Sequence, residues 1–106
     1  MSNSYAEVVA VLQRKRNVAI NKARTGFGSG ALTVKGHIFA MLSSRGEFVV
    51  KLPRERVDEL VARRLGTPFD AGRGRPMKEW LVVGPRFGLS WAEIAEEARS
   101  FASRAR

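Results

Sequence analysis

Residues 31–52, ALTVKGHIFAMLSSRGEFVVKL, decide the fold. Three short runs rich in Val, Leu, Ile and Phe are separated by Lys35-Gly36 and by Ser43–Glu47, and both separators carry a turn glycine. A Lys-Gly pair between two β-like runs predicts a two-residue hairpin, because the turn that matches strand twist needs positive φ. The reading is an antiparallel meander of "ALTV", "HIFAML" and "FVVKL". Upstream, "NVAINKAR" reads either as a further strand or as an extension of the first helix.

Helical periodicity flanks the meander on both sides. Tyr5, Val8, Val9 and Leu12 recur at the spacing of one helical face, with Ser4 as the N-cap and Glu7 three residues on. That helix is expected to end near "RKRN" (14–17), whose cations suit the negative end of the helix dipole. After the meander, Pro53 is expected in the first turn of a second helix. Val57, Leu60, Val61 and Leu65 line its apolar face, and Gly66 supplies the stop. Thr67 to Pro76 reads as a ten-residue loop, and "KEWLVV" (78–83) as a strand covered on both faces. Ser90 and Glu93 form the next capping box, with Leu89 stapled to Ile94. Trp91, Ile94, Ala95, Ala98, Phe101 and Ala102 make the buried stripe. The expectation is one α+β domain over residues 1–106, with an antiparallel sheet of four or five strands and N-terminal, middle and C-terminal helices.

The 106 residues carry a net charge of +9, and the excess is uneven. Met1 to Arg54 holds nine Lys/Arg against two acids, whereas Glu55 to Arg106 holds ten against eight. Such an imbalance favours anionic partners, nucleic acid among them. The absence of cysteine excludes disulfides, thiolate metal sites and cysteine nucleophiles. "YAEVVAVL" is interrupted by Glu7 and precedes its basic cluster, the reverse of a secretory signal. No run approaches the roughly 18 apolar residues of a membrane span. A cytoplasmic protein with no membrane partner is expected.

Motifs for catalysis are weak. "GFGSGA" (26–31) leads into a strand pattern, whereas a dinucleotide fingerprint opens a helix and a P-loop needs Gly-Lys-Ser/Thr. These glycines read as backbone pivots at the sheet margin. His37, the one histidine, follows a turn and has no Ser or carboxylate grouped with it in sequence. Glu55, Asp58 and Glu59, like Glu93, Glu96 and Glu97, sit near helix N-termini, where the dipole favours acids. They would hold Mg²⁺ only with further oxygens from elsewhere. No cofactor, metal or enzymatic activity is expected.

"GRGRP" (72–76) has the chemistry of an AT-hook, in which a thin glycine backbone lets two arginines follow the narrow A·T minor groove. Asp70 just upstream and a strand starting near Lys78 favour a structured basic loop that touches phosphates. Phe27, Phe69 and Phe87 lie in or beside loops, and exposed aromatics there could stack on unpaired bases; anchoring roles are commoner. The candidate nucleic-acid contacts are Arg14, Lys15, Arg16, Arg73, Arg75 and Lys78, with Gly74 allowing close approach. Little base specificity is expected, since no exposed recognition helix is evident. The rival reading is a protein-interaction adaptor or homodimer.

At "GFGSGALTVKGHIFAML…FVVKLP…PMKEWLVV…SWAEIAEEA" the chain resembles the N-terminal domain of the TfoX/Sxy competence-regulator family. It is also similar to the small YjbR/MmcQ-like proteins. The similar part runs from about Arg24 to Ala102. Phe27-Gly28, Leu32, Gly36, Phe39-Ala40, the "VVKL" strand, Trp80 and Trp91 carry it, and these are mainly fold-making residues. The resemblance implies helices packed against a curved antiparallel sheet, association with transcriptional regulation or DNA binding, and no catalytic site. His37 stands where the family commonly has Lys or Arg. The second, C-terminal domain of the longer competence regulators is not in this sequence.

Overall fold

The structure is a computed structural model that describes residues 4–21, 30–43, 45–70, 77–84 and 90–104. In chain order the elements are α1 (Tyr5–Leu12), β1 (Val18–Ile20), β2 (Leu32–Val34), β3 (His37–Leu42), β4 (Phe48–Lys51), α2 (Arg54–Ala62), β5 (Gly66–Phe69), β6 (Met77–Val83) and α3 (Trp91–Ser103). The fold is α+β, and its antiparallel sheet has six strands in the order β1-β2-β3-β4-β6-β5. That is one strand more than the upper expectation. Within "NVAINKAR", Val18–Ile20 forms strand β1, and Asn17 before it sits in the turn at φ 66°.

Local chemistry explains the element boundaries. Ser4 Oγ accepts from Glu7 N and Ser90 Oγ accepts from Glu93 N, so both expected N-caps form. The hairpin at Lys35-Gly36 closes with both residues at positive φ, 53° and 83°, as the twist-matched two-residue turn requires. The C-terminus of α2 is a correction: Gly66 does not stop it. Arg64 takes the left-handed position at φ 60°, with Leu65 N donating to Leu60 O and Arg64 N to Val61 O. These are the two hydrogen bonds of a Schellman motif, built here without glycine. Gly66 instead opens β5, where an added Cβ would lie 2.5 Å from the Val82 carbonyl oxygen. Pro53 is the N-cap of α2 and not part of its first turn.

The expected loop at Thr67–Pro76 therefore begins as strand. Pro68 masked it, yet β5 is an edge strand, where a missing N–H costs little. Phe69, expected beside a loop, is buried. Leu89 of the expected Leu89–Ile94 staple, together with Phe27 and Phe87, lies outside the described residues.

All three helices contribute to one core. Val8 and Leu12, Val57 and Leu60, and Ile94, Ala95, Ala98 and Ala102 meet Leu32, Val34, Phe48, Val50, Leu81 and Val83 of the sheet. A bulge shapes this face. Leu32 pairs with Ala40 but Thr33 with Ile38, leaving Phe39 as an extra residue on β3. Consecutive Phe39 and Ala40 can then both enter the helix-side core. Trp91 stacks on Phe48 at 4.5 Å between ring centroids and 19° between planes. The opposite face holds a smaller cluster of Ala31, Met41, Val49 and Phe69, flanked by half-buried Ile38, Trp80 and Val82. Among the described residues, no helix residue belongs to it. On β6, Leu81 and Val83 are buried, whereas Trp80 and Val82 are only half-buried.

Candidate nucleic-acid interface

The antiparallel register collects the separators of the strands at two ends of the sheet, and one end is basic. Val18 pairs with Val34, and Val34 pairs with His37 across the hairpin. The α1–β1 turn, with Arg14, Lys15 and Arg16, therefore stands beside Lys35. β4 runs back toward the same end and finishes at Lys51, which pairs with Trp80. Leu52 N donates to Glu79 O at 2.9 Å, so β6 enters the sheet here. Arg54 opens α2 just beyond. Lys35 Nζ donates to Ser103 O at 3.3 Å, which brings the C-terminal end of α3 to the same place.

Four of the sequence-expected contacts can be located. Arg14, Lys15 and Arg16 are exposed in the turn that follows the α1 cap, beyond the last helical turn. Lys78 is exposed at the start of β6. They do not form one cluster: β1 and β6 are four strand spacings apart, roughly 19 Å. Lys35, Lys51 and Arg54 fill the interval. Arg73, Gly74 and Arg75 lie outside the described residues.

Lys78 belongs to an irregular segment. Pro68 pairs with Leu81 and Phe69 with Met77, so Lys78, Glu79 and Trp80 have no partner on β5. These three residues and Arg54 line an open depression of about 400 Å³. Lys51 Nζ sits 5.6 Å from the Trp80 ring centroid, within cation–π range. On the far side of the hairpin, Arg45 Nη2 donates to Asp70 O at 3.0 Å, tying the end of β5 to the β3–β4 turn.

The ion pairs lie elsewhere. Arg45 pairs with Glu47, Arg56 with Glu59 and Glu97, Arg63 with Glu59, and Arg99 with Glu96. Arg56 joins α2 to α3, its Nε donating to Glu97 Oε1 at 2.7 Å. The hydrogen bond from Arg99 holds the Glu96 carboxyl below its usual range, and the charges of Arg99 and Lys15 add to that pull. Among the described residues, Arg16, Lys35, Lys51, Arg54 and Lys78 take part in none of these pairs. Of the six acids expected on solvated helix faces, Glu59, Glu96 and Glu97 pair with arginines of α2 and α3.

His37 is half-buried at the start of β3. No group of three or more His, Cys, Asp or Glu side chains suited to a metal occurs among the described residues. Nor is any helix among them long and apolar enough to cross a membrane. No protein-family model, curated protein or solved structure matches the chain.

Proposed function

We propose that this chain is a basic, non-enzymatic module that holds nucleic acid mainly through its phosphates. The observation that carries the reading is the separation of charges. Among the described residues, Arg16, Lys35, Lys51, Arg54 and Lys78 line one end of the sheet and take part in no ion pair, while Glu47, Glu59, Glu96 and Glu97 are engaged by arginines elsewhere. A row of cations roughly 19 Å long faces about five phosphates of one duplex strand, at one charge per ~3.4 Å. Phosphate contacts position a protein without reading sequence, so base preference on duplex DNA is expected to be weak. The resemblance to the TfoX/Sxy N-terminal domain points toward the same partner class and to a role near transcription. Arg73 and Arg75 would add to the contacts already named.

The test is fluorescence anisotropy with a labelled 20-base-pair duplex at low salt. Wild type is compared with the combined variant Lys35→Ala/Lys51→Ala/Arg54→Ala/Lys78→Ala. Binding by wild type and its loss in the variant are expected. Equal binding by both would overturn the assignment to this end of the sheet. No binding by wild type would sink the nucleic-acid reading and favour a protein-interaction adaptor or homodimer, which sedimentation would then detect as a larger species.

A further inference from the structure

The depression beside Lys78 has a chemistry that phosphate contact alone does not use. Its walls are Arg54, Lys78, Glu79 and the half-buried indole of Trp80. Lys51 Nζ lies over the same indole, 5.6 Å from its centroid. A site for bare phosphate would be cationic throughout. Here Glu79 places a carboxylate among the cations, repelling a phosphate at that spot while offering an acceptor to an amino group. An aromatic surface, two cations and one hydrogen-bond acceptor suit a base with its flanking phosphates.

We propose that this depression is a stacking subsite for one unpaired base of a single-stranded nucleic acid. Trp80 is the platform, Arg54 and Lys78 meet the adjoining phosphates, and Glu79 accepts from an exocyclic amine. The proposal rests on the phosphate-binding reading and refines it. Within a duplex both faces of a base are already stacked and its pairing edge is occupied, so an aromatic platform selects single strands. The broken β5–β6 pairing gives this a structural basis. Lys78, Glu79 and Trp80 have no partner on β5, so the β5-side edge of this stretch of β6 stays out of the ladder. Carboxylates accept from cytosine N4, whereas thymine presents only an acceptor at the corresponding position. Oligo-dC is therefore the probe of choice.

The experiment measures binding of a single-stranded oligo-dC and of a duplex of equal length at one salt concentration, together with tryptophan emission. Wild type, Trp80→Phe and Trp80→Leu are compared, with circular dichroism reporting the fold. Wild type is expected to favour the single strand and to show quenched emission that Trp80→Leu loses, which assigns the signal to Trp80 and not to Trp91, half-buried and stacked on Phe48. Trp80→Leu is expected to lose roughly tenfold in single-strand affinity, the scale of one stacked base, with duplex affinity unchanged within about twofold. Trp80→Phe keeps an aromatic face and is expected to retain most of the preference. Salt-sensitive duplex binding with no single-strand preference, or equal weakening of both ligands by Trp80→Leu in a folded chain, overturns the stacking subsite and leaves the phosphate reading standing. Failure of wild type to bind either ligand overturns both.

Discussion

The sharpest quantitative consequence of the charge arrangement is a salt dependence that responds to where cations are removed. Among the described residues, Arg16, Lys35, Lys51, Arg54 and Lys78 are five cations along the sheet end that take part in none of the ion pairs. If each displaces one counterion from duplex DNA, the slope of log K against log salt is about −0.9 × 5, or roughly −4.5. Raising salt from 50 to 200 mM then weakens binding roughly 500-fold. Lys51→Ala/Lys78→Ala removes two of these contacts, so the slope becomes about −2.7 and the same change in salt costs only roughly 40-fold. Arg45→Ala/Arg63→Ala removes the same net charge from side chains engaged with Glu47 and Glu59. That variant is expected to keep a slope near −4.5, the wild-type value. Anisotropy titrations at four or five salt concentrations measure all three slopes. Equal slopes for the two double variants would refute the reasoning, because only net charge, and no particular surface, would then be at work.

Three further outcomes test the fold beneath the site. Gly66→Ala puts a Cβ 2.5 Å from Val82 O and 2.9 Å from Leu81 Cδ1; it should cost about 1–3 kcal/mol, read as a lower urea midpoint, and an unchanged midpoint would contradict the close approach of β5 to β6. Arg64→Gly relieves a left-handed residue at φ 60° and should raise stability by up to about 1 kcal/mol after glycine's entropy cost, seen as a higher thermal midpoint. Tyr5, the chain's one tyrosine, donates to Gly30 O at 2.8 Å, and burial pushes its pKa up to about 12. The folded chain therefore holds this proton more tightly than the unfolded one. The associated stability is complete below the unfolded value of about 10 and is lost as pH rises through about 12. Absorbance near 295 nm follows the single phenol, and a midpoint near pH 10 in the still-folded chain would contradict its burial.

What the sequence discloses is mostly what short-range physics determines. Ser4 and Ser90 are legible as caps because the accepting hydroxyl and the donated N–H lie three residues apart. Lys35-Gly36 is legible because a two-residue turn leaves the chain few geometries. The apolar stripe of α3 follows from its periodicity. β5 was hidden because Pro68 argues against strand wherever both edges are paired, and the edge position that tolerates it is set by tertiary structure. Arg64 was hidden because glycine is the usual left-handed residue, and Gly66 two positions on offered a more familiar stop. The binding end was half visible. Arg16 and Lys78 stood out in basic or loop-like stretches, but Lys51 and Trp80 become neighbours only through pairing of β4 with β6, which no local pattern encodes. In the sequence alone Trp80 accordingly reads as a fold-making residue.

That β4–β6 pairing also bears on the order of events when the chain folds. β1 to β4 form a meander whose contacts are near in sequence, whereas β6 reaches β4 only after α2 and β5 have been laid down between them. Closing such a separation costs more chain entropy and is expected to come late. Lys51, Arg54 and Trp80 are therefore assembled by the last seam of the sheet to close. A chain that has acquired its helices and hairpins but not this seam would be basic without presenting the depression. A ligand held across the seam would in turn stabilise the completed fold over any such species, since it binds one and not the other.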